Sequence, residues 1–414
     1  MTTIKDSVHD HIEVEGVAAD LLDTPAVQRL RHIKQLGTVQ LVYPSANHTR
    51  FEHSLGVYHL AESALTHMGV DGIDAERVRA AAVLHDMGHG PFSHNIESLT
   101  HRETGKYHDD VTDLLSIGEV GDVLRANGLS PDRVAGLVAG SGKYGQLVSG
   151  ELDVDRMDYL VRDAHHTGVP YGTIDPGRLV RALEFVDGEL VLGPGNVQTA
   201  ESLLVARALM NPTVYSHHVA RISKAMLRSA SERLLASDPD LTAEELRRMD
   251  DHGLIVALRL TDETAEFARR YAERDLYKRA VWAELGGVPD RVLQAGHEEL
   301  REIEAAVAAA CNLDPKEVLI DVPSEPSMTE STSRVMVGDE MRELGRQSPL
   351  VKALRTAQYQ QWRLGVYTVE PATGQVGREA VDRLGLDVDE MLVSERRGRT
   401  ATLDEFVGSE SPDR

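Results

Sequence analysis

Cysteine is almost missing: Cys311 is the only one in 414 residues. An intrachain disulfide is therefore excluded, and so is a metal knot built on thiolates. Lysine is scarce as well, with eight against 36 arginines, while 67 Asp and Glu residues bring the formal net charge to -23. A chain this acidic binds nucleic acid and anionic membrane surfaces poorly. Its acidity reads either as solubility or as adaptation to a salty cytoplasm; a G+C-rich genome would also replace Lys with Arg. No run approaches the roughly eighteen consecutive apolar residues of a membrane-spanning helix. Residues 1–6 lack the apolar core of a signal peptide, and no internal repeat or low-complexity tract occurs. A cytoplasmic globular protein is expected, with 41% apolar residues and room for two or three domains.

What is present is concentrated in Leu84-His85-Asp86-Met87-Gly88-His89-Gly90-Pro91-Phe92-Ser93-His94, at the end of an apolar run. The adjacent His85 and Asp86 offer an imidazole and a carboxylate, both acceptable to a divalent metal. Gly88 and Gly90 predict a helix end and a close approach of backbone to whatever binds. Two neighbouring ligands cannot complete a metal site, so the others must come from elsewhere.

The flanking pattern is largely helical. Thr24 and Pro25 predict a helix start, and Val27, Leu30, Ile33 and Leu36 continue it as a stripe ending at Gly37. Residues 39–44 read as extended. Helices are predicted over 50–68, 75–86 (with Asp74 as cap), 93–99, 107–116, 119–126, 131–138, 150–166, 197–236, 266–283 and 298–310. Residues 182–193 read as a hairpin whose Asp187-Gly188 pair suits a type I′ turn. Beyond about 316, strands are predicted at 317–323, 333–337 and 364–369, with a helix at 349–360. The expected organisation is a mainly α core over 1–284, a smaller C-terminal α+β region over 285–390, and a loosely ordered polar tail over 391–414.

His53, His85, Asp86 and Asp155 each lie on or at the end of a predicted helix and are the candidate metal ligands. Two imidazoles with two carboxylates suit Mn, Mg, Fe, Ni or Zn in a reactive site rather than a structural zinc. Spacing alone is equally compatible with buried structural His and Asp residues.

The order His, His-Asp, Asp resembles the HD superfamily of metal-dependent phosphohydrolases. The flanks are similar to one branch of it: Asp23-Thr24-Pro25 with Gln28-Arg29-Leu30-Arg31 and Ile33-Lys34-Gln35-Leu36-Gly37; Arg50-Phe51-Glu52-His53-Ser54-Leu55-Gly56; the His85 to His94 stretch; Asp153-Val154-Asp155-Arg156 with Asp158-Tyr159; and Tyr215 with His217-His218. That branch is the deoxynucleoside triphosphate triphosphohydrolases. The similarity covers roughly residues 4–370, and no SAM domain is expected among these residues.

The resemblance implies an HD-domain helical bundle that hydrolyses dNTPs to deoxynucleoside and inorganic triphosphate. His53, His85, Asp86 and Asp155 would hold the cation. His94 and His108 would reach the α-phosphate and supply the acid, with Glu97 orienting one of them and His89 near the phosphates; His101 is a competing counterpart of His108. Arg50, Arg156 and Arg207 would contact phosphates, since an arginine offers a charged fork. Gln35, Tyr159, Asp163 and Tyr215 would read the sugar, Gln35 and Asp163 taking the 3′-hydroxyl. Ser216 departs from the Gln of the vertebrate enzymes, which leaves sugar or base specificity open. Asp23, Gln28 and Arg31 match residues that read an activating nucleotide, GTP or a dNTP; their alternative is a helix cap and ordinary surface. A homo-oligomer, dimer to hexamer, is implied. The other readings are an HD phosphohydrolase of monophosphates, cyclic dinucleotides or ppGpp, and a nucleotide-binding module with a degenerate site.

Overall fold

The computed structural model describes residues 2–326 and 332–387. The tail expected over 391–414 lies outside them. The described residues are mainly helical, with short strands in small sheets. They divide into two compact units, 2–275 with 332–358, and 276–326 with 359–387. This division falls at 275/276 rather than 284/285, and it assigns residues 332–358 to the first unit, whereas the sequence pattern grouped them with the C-terminal region.

Three helices of the first unit frame the site. Arg50–Met68 starts at a capping box, in which Thr49 and Glu52 satisfy each other's backbone, and ends at Gly69 in the left-handed conformation. Gly72–Leu84 packs against it. Its Ala80, Ala81, Ala82, Val83 and Leu84 are all fully buried. A helix apolar on so many faces belongs in a core, and its small alanines let the neighbour come close. The N-cap is Asp71, one turn before the expected Asp74, which instead pairs with Arg77. Val154–Thr167 is capped by Asp153, whose carboxylate accepts the Arg156 N–H at 2.7 Å, and it stops at left-handed Gly168. Phe51, Leu55, Tyr58, Leu65, Leu84, Met157 and Leu160 fill the space between these elements. Each such side chain contributes about 1.5–3 kcal/mol by leaving water.

Several expectations are corrected. The helix expected over 24–36 is a short turn, Pro25–Gln28, followed by a 3₁₀ turn, Arg29–His32. Residues 39–44 are not extended, since Val39–Leu41 is a 3₁₀ turn. The helix expected over 107–116 begins only at Thr112, which leaves His108 on a loop. The opening residues pair as an antiparallel hairpin, Thr2–Asp6 with Asp10–Val14. The long helix of 197–236 is two, Val197–Met210 and His218–Ser237, joined by a π turn, Asn211–Tyr215. Pro212 has no N–H to continue the α-helical ladder, and such π segments often sit at functional positions; here it carries Tyr215.

The 182–193 hairpin is present as Leu183–Val186 and Glu189–Leu192, with Asp187 and Gly188 both at positive φ, 53° and 85°. Arg334–Val337 and Glu340–Glu343 extend it to four strands. In the second unit, Arg363–Thr368 is the central strand between Lys278–Glu284 and Val318–Asp321, backed by helices His297–Ala310 and Thr373–Leu384. Residues 278–284 are thus a strand where the apolar pattern suggested a helix. No helix among the described residues is long and apolar enough to cross a membrane.

One glycine carries a testable consequence. A Cβ on Gly56 would lie 1.8 Å from Asp158 Oδ1 and 2.5 Å from Arg162 Nη2, both fully buried. Gly56→Ala should therefore cost about 3 kcal/mol or more, the scale of disrupting a buried ion pair. Gly136→Ala, whose Cβ meets nothing closer than 4.0 Å, should be neutral or slightly stabilising. Denaturant midpoints of the two variants check this; equal effects would contradict it.

Candidate active site

The first helix supplies His53, the end of the second supplies His85 and Asp86, and the third supplies Asp155. His53 Nε2 lies 2.9 Å from Asp155 Oδ1, 3.2 Å from His85 Nε2 and 3.8 Å from Asp86 Oδ2. His85 Nε2 lies 3.4 Å from Asp86 Oδ1 and 3.9 Å from Asp155 Oδ1. His85 Nδ1 donates to the Ala82 carbonyl at 2.9 Å, which leaves Nε2 as the inward lone pair. Four residues from three segments thus converge. Asp86 Oδ2 is buried with no hydrogen-bond partner among the described residues. Burial opposes charge on His53, yet Asp155, Asp158 and Asp86 together push its pKa up to about 10. Facing imidazole nitrogens, an orphaned carboxylate oxygen and excess negative charge all call for a cation, so this donor set fits a divalent metal.

Behind His53 lies a buried network. His53 Nδ1 donates to Asp158 Oδ2 at 2.7 Å, and His9 Nε2 meets Asp158 Oδ1 at 2.6 Å. Arg162 donates to both oxygens of Asp158, at 2.8 and 3.0 Å, and to both oxygens of Asp6, at 2.8 and 3.2 Å. Burial raises the pKa of Asp158, but Arg162, His53 and His9 hold it well below the usual carboxylate range. Asp158 fixes the ring of His53 so that Nε2 points inward. Asp158 lies in the Asp153 to Tyr159 stretch, where the sequence alone assigns it no role. The four-residue spacing of Asp158 and Arg162 on a helix signals their pairing; nothing in the sequence signals Asp6 or His9, which come from the far end of the chain.

Past the helix end, Arg50 bridges the two halves of the stretch. Its Nη1 donates to Asp86 Oδ1 at 2.8 Å and its Nε to Ser93 Oγ at 2.9 Å. Beyond it, His89, His94, Glu97 and His108 form a second group. Glu97 Oε2 meets His94 Nδ1 at 2.7 Å and Oε1 meets His108 Nδ1 at 2.5 Å. The rings of His89 and His108 stack at 4.2 Å. Gly88 makes this possible, because a Cβ there would lie 2.0 Å from the His108 carbonyl oxygen. His101 stacks instead on Tyr107 at 3.7 Å, so His108, not His101, joins the group. Burial opposes ionisation of Glu97, but His108 and His94 hold its pKa far below the usual value. Burial also opposes charge on His108, but Glu97 raises its pKa above the ordinary 6.5. Burial, and then Arg50, push His89 well below 6.5.

A third group gathers around Asp163, which is 1% exposed. Its Oδ2 accepts the Tyr215 hydroxyl at 2.8 Å and its Oδ1 meets His48 Nε2 at 2.8 Å. Tyr159 and Tyr215 rings meet edge to face at 6.2 Å. Burial raises the pKa of both tyrosines, and the charge of Arg207 works against the rise. Arg156 donates to the Gly150 carbonyl and pairs with Asp153 at 3.3 Å. Gln35 is buried, its N–H bonded to the His48 carbonyl at 3.0 Å. Asp23, Gln28 and Arg31 sit apart from these groups in sequence and hydrogen bonding. Gln28 donates to the Leu22 carbonyl at 2.7 Å, Arg31 Nε donates to Gln28 Oε1 at 2.7 Å, and the Arg31 guanidinium covers the Phe51 ring at 3.6 Å. Asp23 and Arg31 are exposed.

The Glu97 bridge has a pH signature. A carboxylate held below its ordinary 4.5 stabilises the fold above that pH and loses the contribution as pH falls. A histidine held above 6.5 stabilises below that pH and loses the contribution as pH rises through its folded value. Glu97→Gln should therefore lower stability by roughly 1–2 kcal/mol, discounted for partial exposure. The gap from wild type should be widest between about pH 4.5 and 6.5 and should narrow on either side. Thermal melts across pH check this; a gap independent of pH would contradict it.

With this geometry in hand, the chain can be set beside known proteins. The HD domain family matches residues 50–163, the span from Arg50 to Asp163 that holds all four candidate metal ligands, and the HD associated region matches residues 174–395. An uncharacterised protein of Methanocaldococcus jannaschii is 32% identical over 390 residues, covering 89% of this chain and 79% of that protein. The deoxynucleoside triphosphate triphosphohydrolase SAMHD1 homologue of Dictyostelium discoideum is 32% identical over 253 residues, or 55% of this chain; the chain spans only about half of that relative, 48%. A crystal structure of a phosphohydrolase from Bacteroides thetaiotaomicron superposes with a TM-score of 0.70 at 25% identity, covering 89% of this chain and all of that one. The helical frame, the His/Asp cluster and these matches agree: the chain belongs to the HD-domain superfamily, carrying an HD domain followed by the HD-associated region.

Proposed function

We propose that this chain hydrolyses deoxynucleoside triphosphates to deoxynucleoside and inorganic triphosphate. The observation that supports the proposal is the presence of three groups in one unit: the His53/His85/Asp86/Asp155 cluster, the His94–Glu97–His108 bridge, and the set of buried Gln35 and Asp163 with half-buried Tyr215. A cation-binding cluster with a proton-donor pair serves many phosphohydrolases; the third group suits a sugar hydroxyl. The names of the triphosphohydrolase relatives point the same way.

His53, His85, Asp86 and Asp155 would hold one divalent cation (Mn, Mg, Fe, Ni or Zn), which neutralises phosphate charge and acidifies water when bound. Arg50, Arg156 and Arg207 bind phosphate oxygens, Arg50 from its place between Asp86 and Ser93. Water attacks the α-phosphorus, the bond from phosphorus to the 5′ oxygen breaks, and that oxygen takes a proton. Glu97 accepts at the Nδ1 side of both His94 and His108, so a second proton on either ring sits on Nε2. Glu97 raises His108 and makes it the readier donor to the 5′ oxygen, while burial lowers His94. His89, neutral and stacked on His108, lies on the phosphate side. Gln35 and Asp163 take the 3′-hydroxyl, while Tyr159 and Tyr215 pack beneath the sugar.

Asp155→Ala should lose bound metal and activity together, with kcat falling at least a hundredfold, while Arg156→Ala should mainly raise KM, by roughly tenfold. Elemental analysis with ion chromatography of the products checks this. Full turnover in Asp155→Ala would contradict the site. Orthophosphate or pyrophosphate in place of triphosphate would move the reaction to another HD phosphohydrolase class. No product from any dNTP, with no metal bound, would leave a binding module.

Asp23, Gln28 and Arg31 are the proposed site of an activating nucleotide, in an oligomer of this chain. Added GTP should raise the initial rate on a dNTP and promote assembly in light scattering. An unchanged rate and an unchanged mass would contradict that assignment.

A further inference from the structure

Asp163 and Gln35 lie far apart in sequence, yet one residue ties them together. His48 is 2% exposed and sits in the turn before the Arg50 helix. Its ring Nε2 lies 2.8 Å from Asp163 Oδ1, and its own carbonyl accepts the Gln35 N–H at 3.0 Å. His48 Nδ1 is buried with no hydrogen-bond partner among the described residues. The Nε2 nitrogen therefore carries the proton and donates to Asp163, because a proton on Nδ1 would have nothing to bond. The His166 ring lies flat against His48, centroids 4.4 Å apart and planes 16° from parallel. Burial, then His48, push His166 down to about 4, so this backing ring is neutral. The Ser45 hydroxyl holds the His166 backbone by donating to its carbonyl at 2.6 Å.

The same arrangement leaves acceptor capacity unused. Gln35 Oε1 is buried and has no hydrogen-bond partner among the described residues. Asp163 receives one donor on each oxygen, His48 on one and Tyr215 on the other, and a carboxylate can accept about four in all. An orphaned buried acceptor and an under-used carboxylate, tied to one histidine through its carbonyl and its ring, are two acceptors open to an O–H donor.

We propose that His48 is the positioning residue of the sugar pocket: it fixes Asp163 through its ring and Gln35 through its carbonyl, and so sets discrimination at the 3′-hydroxyl. This rests on the reading of Gln35 and Asp163 given under the proposed function. His48 itself touches neither substrate nor metal ligand; it acts through the two residues it holds. Only the ring contact depends on the side chain at 48, so substitution there releases Asp163 and leaves Gln35 held by the backbone.

The test compares kcat/KM on each dNTP and on its 2′,3′-dideoxy analogue, for wild type, His48→Phe and His48→Gln. Phenylalanine keeps the ring and its stack and removes the donor; glutamine returns an N–H near the place of Nε2. Wild type should prefer the dNTP by roughly ten- to a hundredfold, the range of a hydrogen bond to a charged group. His48→Phe should bring the ratio to within about threefold of one, losing activity on the dNTP while holding it on the analogue, and His48→Gln should recover part of the preference. Equal losses on both substrates, with the wild-type ratio intact, would mean a packing role only and overturn the proposal. If His48→Phe does not fold, His48→Asn, too short to reach Asp163, takes its place, and an undiminished ratio in it overturns the proposal equally. A wild type that hydrolyses dNTPs without preferring them over dideoxy analogues overturns the Gln35/Asp163 reading and this proposal with it. No hydrolysis of any dNTP overturns the substrate assignment.

Discussion

The ion pair of Arg162 with Asp158 is the constraint on which the rest of the site depends. Both side chains are fully buried, on one helix, four residues apart. Burying two charges costs several kcal/mol each unless geometry and extra hydrogen bonds compensate. Here the compensation comes from Asp6 and His9 on the N-terminal hairpin and from His53 on the Arg50–Met68 helix. The pair therefore holds three segments to one point, and it works only because Gly56 leaves room for it. Its product is the orientation of a single imidazole, with Nδ1 turned to Asp158 and Nε2 turned toward His85, Asp86 and Asp155.

The glycine break after Asp86 divides the work of the central stretch. Before it, His85 is the helix C-cap and, with Asp86, completes the set of candidate cation ligands. After it, the chain turns so that His89 and His94 meet Glu97 and the His108 loop. Arg50 spans the break, bonded to Asp86 on one side and Ser93 on the other. In the proposed reaction, a phosphate chain laid between the two groups would meet a cation at one end of this guanidinium and, at the other, imidazoles of which His108 is the one that Glu97 raises. His48, Gln35 and Asp163 differ from both groups in chemistry, being an imidazole, an amide and a carboxylate, the set we propose for a sugar hydroxyl.

Much of this was legible from residues alone, and the reasons differ by element. His53, His85, Asp86 and Asp155 could be singled out because the chemistry demands those side chains, and the flanks Arg50 to Gly56 and Asp153 to Tyr159 carry the packing that supports them. Helix ends are set by signals that act within one turn, Thr49 with Glu52, Asp153, Gly69 and Gly168; the helix expected from 150 starts only at Val154, behind its Asp153 cap. Errors arose where tertiary pairing decides. Residues 278–284 contain an Ala-Val-Trp-Ala run that fits either period, and pairing with Arg363–Thr368 makes it a strand. Residues 24–36 carry a helical stripe, yet the backbone tightens at Arg29 and turns extended at Ile33, where Arg50 N bonds its carbonyl. Asp6, His9 and His48 could not be found, since their partners lie more than a hundred residues away and no short spacing marks them.

The central claim is that these groups direct a water molecule to the α-phosphorus of a dNTP. Hydrolysis in ¹⁸O-enriched water, with the products weighed by mass spectrometry, tests it most directly. The account predicts one heavy oxygen in the inorganic triphosphate and none in the deoxynucleoside. Label in the nucleoside 5′-hydroxyl, or in orthophosphate or pyrophosphate released in place of triphosphate, would contradict it.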